Sequence, residues 1–243
     1  GWGGPEDGYL RSNTAITLQG RGHVVRHNRI SRFWQAIHMG TAFQGFDRGG
    51  IACDFIGNDL DMLIDDGFEL DGGVRNLRVL RNRLMNCKPF SAQPIYGGPS
   101  YFLRNVVGNG VRGAFKFHEA HPSGLIAYHN TVVGNSFVGR GLYSNAHFRN
   151  NLLLLSGDTG GKRGAMAVPD PLDGTTADYN GYDRGTRFLS TPLDAAAPIM
   201  DTSRGDAWWP LKKYPDESAN RLFASFEEFR AVTGLEAHGR LID

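Results

Sequence analysis

The chain has 243 residues, 40% of them hydrophobic and 21% charged, with 26 Lys+Arg against 25 Asp+Glu and a formal net charge of +1. That length supports one sizeable core. No apolar run approaches the roughly 20 residues of a membrane span, so a soluble protein without a membrane partner is expected. The balanced charge, with no evident basic stripe, argues against a nucleic-acid partner.

Gly, at 33 residues, is about twice its usual ~7% share and comes without collagen period or low-complexity tracts, which points to many turns. Cys53 and Cys87 are too few for a disulfide scaffold and lack the clustered histidines of a zinc site, so buried free thiols are expected. The sequence opens at Gly1 without Met and with no charged-then-apolar leader, as expected of a targeting signal removed or never included, and localisation has to come from other arguments.

Taken in chain order, Ala15-Ile16-Thr17-Leu18 reads as part of a first strand-bearing coil. An asparagine with an apolar residue close behind then recurs at Asn28, Asn58, Asn82, Asn105, Asn130 and Asn151, with spacings of 30, 24, 23, 25 and 21 residues. Periods in this range mark solenoids, and the segments between are too short and Gly-rich for helical hairpins. About ten residues after an asparagine come short strands: Ile37-His38-Met39, Phe68-Glu69-Leu70, Phe90-Ser91-Ala92, Phe115-Lys116-Phe117 and Leu142-Tyr143-Ser144. Strand side chains alternate faces, so the first and third residues of each triplet line an apolar interior and the middle residue faces out. Coils stacked about 4.8 Å apart through parallel strands form an all-β parallel β-helix.

After Asn151 the period fades. Residues 1–155 are expected to form the coils and residues 156–243 an irregular segment lying on the solenoid, with Trp208-Trp209-Pro210 docking it. One helix is expected there: Ser225-Phe-Glu-Glu228 is a capping box, Phe226, Phe229 and Val232 follow at helical spacing, and Gly234 closes it. It would cover part of the solenoid's side or open end.

The repeating asparagine-x-apolar coil, over about residues 14–155, resembles the right-handed parallel β-helix, or pectate-lyase-like, superfamily of secreted carbohydrate-active proteins. The resemblance implies that Asn82, Asn105, Asn130 and Asn151 stack inside a turn and bond along a ladder, which makes them structural. It also implies a secreted or periplasmic protein with a polysaccharide as partner.

Extending each triplet by one residue gives two outward columns. One reads His38, Glu69, Ser91, Lys116 and Tyr143; the other reads Gly40, Asp71, Gln93, His118 and Asn145. At their centre, Asp65, Asp66, Glu69 and Asp71 place four carboxylates within seven residues. Glu69 and Asp71 share a face about 6.8 Å apart, a separation that suits an inverting glycosidase. Crowded carboxylates raise one another's pKa and so supply a protonated acid beside an ionised base. The same acids also suit a structural calcium ion or solvated turns. Lys116 and His118 lie two coils on, where they would hold an acidic sugar; Lys116 could instead abstract a proton or simply balance the acids. Tyr143 and Tyr96 offer rings for a sugar to stack on, and His38 and Gln93 flank the groove.

Asp65-Asp66 resembles the paired aspartates of the polygalacturonase-type glycoside hydrolases, and Lys116-Phe117-His118 occupies the place of that family's Arg-Ile-Lys substrate clamp with altered residues. The family's coil-earlier aspartate has no counterpart, and Lys88-Pro89-Phe90 stands where a Gly-His-Gly segment would be. The lyases of the superfamily imply another arrangement, with Ca²⁺ on Asp65, Asp66, Glu69 and Asp71, Lys116 as base, and Arg81 or Arg104 as helper. The expected function is therefore cleavage of an acidic polysaccharide, by hydrolysis without a cofactor in the first reading and by Ca²⁺-assisted β-elimination in the second. A non-catalytic glycan-binding β-helix is the third.

Overall fold

The computed structural model describes residues 13–39, 50–70, 73–92, 98–110, 113–117, 122–139, 141, 143–155, 165–193 and 220–243. They form a parallel β-solenoid whose coils contribute to three sheets. The first sheet contains Thr14–Leu18, Gln35–Met39, Asp66–Leu70 and Lys88–Ala92. Single bridges from Phe90 to Phe115, Val138 and Met166 carry its line on to the paired strands Ala165–Asp170 and Arg187–Pro192. The second sheet runs from Val24–Arg26 to Thr176–Asp178 and the third from Arg29–Ser31 to Arg240–Ile242, and both are parallel throughout.

The sequence repeat explains the core. Two residues after each ladder asparagine, Ile30, Leu60, Leu84, Val107, Val132, Leu153 and Tyr182 are buried. Three residues before it, Val25, Phe55, Val79, Phe102, Ala127, Phe148 and Ala177 are buried as well. On the first sheet Phe68, Phe90 and Phe115 stack coil on coil, with ring centroids 5.9 and 5.3 Å apart. Cys53 and Cys87 are buried free thiols, and burial pushes the Cys87 thiol up to about 12.

The asparagines mark the corner between the second and third sheets. From Asn28 through Asn58, Asn82, Asn105, Asn130 and Asn151 to Asn180, each donates its backbone N–H and its Nδ2 to Oδ1 of the next, at 2.8–3.1 Å. From Asn58 onward Nδ2 also donates to a carbonyl of the coil before. The expected structural role of these residues holds.

The solenoid does not stop near Leu155. Thr176–Asp178 and Gly181–Asp183 add another turn to the second and third sheets, with Asn180 as a further ladder member. Asn180 lies 29 residues after Asn151, close to the 30 between Asn28 and Asn58. Glu236 then ends the ladder. Its carboxylate accepts from Asn180 Nδ2 at 2.6 Å, the Tyr182 hydroxyl at 2.7 Å and the Asn180 backbone N–H at 3.3 Å. The helix Phe226–Thr233 forms as the capping box requires: Ser225 Oγ accepts from Glu228 N–H at 3.1 Å, and Gly234 takes φ 71°. Phe226 and Phe229 pack on Phe188, whereas Val232, expected on the same face, is exposed because only one turn of the helix meets the sheet. Trp208 and Trp209 lie outside the described residues. Among the described residues no helix is long and apolar enough to cross a membrane.

Replacing Asn105 by Ala strands the Asn82 N–H and Nδ2 and the Val79 carbonyl in the interior and is expected to cost about 2–4 kcal/mol. Asn28→Ala, at the half-buried start of the ladder, should cost under about 1 kcal/mol. Denaturant unfolding of both variants checks this, and equal losses would show that the ladder bonds do not carry the difference.

Candidate active site

The functional side chains gather where chain enters the first sheet, and a break in strand alternation puts them there. A Cβ on Gly67 would lie 2.6 Å from Leu84 Cδ2 and 3.3 Å from Leu60 Cδ1, so this residue faces the core, as Phe68 does. The neighbouring coils show the same buried doublet at Ala36-Ile37, Pro89-Phe90 and Ala114-Phe115. With two inward residues in succession, the preceding residue is returned to the outer side, which places Gln35, Asp66 and Lys88 beside the outward His38 and Glu69.

The resulting cluster joins four coils. Lys116 Nζ lies 2.5 Å from Asp66 Oδ2 and 4.0 Å from Glu69 Oε2. Lys88 Nζ lies 2.5 Å from Asp65 Oδ1. Gln35 Nε2 donates to Glu69 Oε2 at 2.8 Å, and Thr14 Oγ1 donates to Gln35 Oε1 at 3.1 Å, so the Glu69 carboxyl is oriented from two coils away. His38 is the register partner of Glu69 on the neighbouring strand and is half-buried.

Asp66 is the unusual member. It is 0% exposed, and its Oδ1 is buried without a donor. Burial pushes its carboxyl up from the usual range against the pull of a hydrogen bond with Glu69 and of the Lys116 ammonium, and the Asp65 charge adds to the rise. The protonated form of Asp66 is thus favoured by its burial and by the neighbouring Asp65 charge. Asp66 therefore keeps its proton to higher pH than an ordinary carboxyl.

Oxygen atoms of Asp65, Asp66 and Glu69 lie within 4.8 Å of one another, a hard-donor set of the kind that takes Ca²⁺ or Mg²⁺. The orphaned Asp66 Oδ1 fits such an ion, but Lys88 and Lys116 occupy lone pairs it would need.

The remaining expected residues divide. Asp71, Gln93, Tyr96 and His118 lie outside the described residues, and the inverting spacing expected for Glu69 and Asp71 falls with them. Tyr143 is not on the outer face. It is 1% exposed, its ring packs on Phe117 and Phe148, and its hydroxyl donates to the Ala167 carbonyl at 2.8 Å. The fifth coil joins the first sheet at Val138 instead, eight residues after Asn130 as Phe90 is after Asn82, so Gly139 follows Lys116 in the outward column. Arg104 lies at the corner between the second and third sheets, away from the cluster. Sequence reasoning missed Gln35 and Lys88 as members. Their signal was a shared offset, since each stands two residues before the apolar residue that opens its triplet, as Asp66 does.

Compared with known proteins, the chain matches no family model, no curated protein and no solved structure.

A carboxyl whose pKa is raised on folding stabilises the native state below its folded pKa and loses that contribution as pH rises. The thermal midpoint of the wild type should therefore fall from about pH 4 upward, through the raised Asp66 pKa. Asp66→Asn should fall less steeply over the same range. Equal slopes in the two proteins would show that Asp66 titrates alike folded and unfolded.

Proposed function

We propose that this protein is a secreted or periplasmic enzyme of the pectate-lyase-like kind that hydrolyses glycosidic bonds in an acidic polysaccharide lying across the first sheet. The observation that carries this reading is the buried Asp66 carboxyl, held against Glu69 and Lys116 at the edge of an otherwise apolar coil. Buried ionisable groups cost stability, and perturbed clusters of this kind mark functional sites.

In this reading Glu69, oriented by Gln35, delivers the proton of the Asp66–Glu69 pair to the leaving glycosidic oxygen as the C–O bond breaks. Asp65, ion-paired to Lys88, adds to the anomeric carbon. Water then releases the glycosyl ester and returns a proton to Glu69. Carboxyl oxygens within 4.8 Å of one another stand nearer the retaining separation of about 5–5.5 Å than the inverting one of about 6.5–9.5 Å. Lys116 is an ion-pair donor to two carboxylates, the role of an ammonium and not of a base, and this favours hydrolysis over elimination.

A second reading, cation-assisted β-elimination, is favoured by one observation, the buried Asp66 Oδ1 with no donor among three clustered carboxyls. One assay separates the readings. Neutral and acidic polysaccharides are incubated with the protein while reducing ends and unsaturated-uronate absorbance are followed, with and without chelator. Hydrolysis predicts reducing ends without absorbance, unaffected by chelator, and Glu69→Gln lowering turnover about 10²–10⁴-fold with glycan binding retained. Absorbance abolished by chelator would replace hydrolysis with elimination. Binding without turnover on any substrate would make the chain a glycan-binding solenoid.

A further inference from the structure

The residue just before each ladder asparagine forms a second column, on the outside of the corner between the second and third sheets. It reads His27, Gly57, Arg81, Arg104, His129, Asn150 and Tyr179, and every member has a left-handed backbone with φ between 54° and 62°. Their backbone N–H groups donate in sequence to the carbonyls of the next coil: Arg81 to Leu103, Arg104 to Tyr128 and His129 to Arg149. The column is therefore continuous. Arg81, Arg104 and His129 are exposed, occupy three successive coils about 4.8 Å apart, and take part in no ion pair among the described residues.

Two further observations point to a ligand. Between Gly72 and Ser156 the sequence has ten Lys+Arg and one Asp+Glu, Glu119, whereas the whole chain is nearly neutral. Four of the ten, Arg78, Arg83, Lys88 and Lys116, pair with Asp54, Asp59, Asp65 and Asp66 of preceding coils, and Arg81 and Arg104 are in no such pair among the described residues. Left-handed backbone favours Gly and Asn, which this column uses at Gly57 and Asn150, while Arg in that conformation is strained. The fold does not need arginine at these corners.

We propose that the ridge of Arg81, Arg104 and His129 is a binding track for a linear acidic polysaccharide, separate from the carboxyl cluster and running along the solenoid axis. Two guanidinium groups on successive coils, continued by the His129 ring as a hydrogen-bonding group, match a polymer with one carboxylate per sugar ring. A duplex presents a charge about every 3.4 Å on each of two strands, and single-stranded nucleic acid is held in grooves floored by stacking rings. A one-residue-wide convex ridge fits neither. The track does not depend on the proposed hydrolysis, since a chain that cuts nothing can still hold the polymer there.

The test uses the double variant Arg81→Asn/Arg104→Asn, whose asparagines suit the left-handed corner, with Arg240→Gln as an exposed control. Affinity for polygalacturonate is measured at low and at physiological salt beside dextran and a single-stranded oligonucleotide. The expected result is a loss of about tenfold in polygalacturonate affinity with a shallower salt dependence, in the double variant alone. Its thermal midpoint should be unchanged or higher. Wild-type affinity in the double variant, failure of the wild type to bind polygalacturonate above dextran, or tighter binding of the oligonucleotide would each overturn the assignment.

Discussion

A buried amide is tolerable only when its hydrogen bonds are made, and in this solenoid no coil can make them alone. Each asparagine at the corner between the second and third sheets keeps its donors satisfied through the next coil's carbonyl oxygen and through the backbone of the coil before. Register follows from that requirement. A slip of one residue between coils would strand a backbone N–H, a side-chain amide and a carbonyl in the interior and would also turn the apolar residues out. The left-handed residue ahead of each asparagine is part of the same arrangement, because it closes the corner that aims the amide inward.

Once register is fixed, residues remote in sequence become neighbours, and the carboxyl cluster is a product of that stacking. Asp66 and Lys116 are 50 residues apart in the chain and in direct contact in the fold. The inward doublets at the entry to the first sheet add the second condition. Without Gly67 facing the core, strict alternation would put Asp66 on the same side as Phe68, and the buried ion pair could not form. A backbone irregularity repeated from coil to coil thus sets which side chains meet at the surface.

The repeat was legible because its physics is local and periodic: Asn105-Val-Val and Asn130-Thr-Val announce a buried amide and a core residue two positions on. Asn180 was lost because Tyr182, and not an aliphatic residue, stands two positions after it, although its interval of 29 residues is no longer than the 30 from Asn28 to Asn58. Asp65, Asp66, Glu69 and Lys116 could be found by their charge and their offsets from the repeat. Gln35 shares the offset of Asp66 from its triplet, but its role as an orienting amide shows only when Glu69 is seen to accept from it. Tyr143 was misplaced because its triplet was set twelve residues after Asn130, whereas that coil meets the first sheet eight residues after it, at Val138, the same offset that Phe90 keeps from Asn82. The basic ridge escaped the sequence because its members are 23 to 25 residues apart and only the corner geometry lines them up.

The ladder also has a direction. Along the row each asparagine gives its backbone N–H and an amide hydrogen to the next asparagine on the C-terminal side and receives the like from the one before, so the two ends of the row are chemically unlike. Glu236, an acceptor on both oxygens, answers the donors of Asn180 and could not serve at the opposite end. At Asn28 the row presents an oxygen that receives no hydrogen among the described residues. A coil duplicated anywhere between these ends reproduces both its donors and its acceptors, whereas one added beyond Glu236 would find no donor to receive. The architecture therefore lets such proteins change length in evolution by internal copying under a fixed terminal plug, in steps of about one asparagine period.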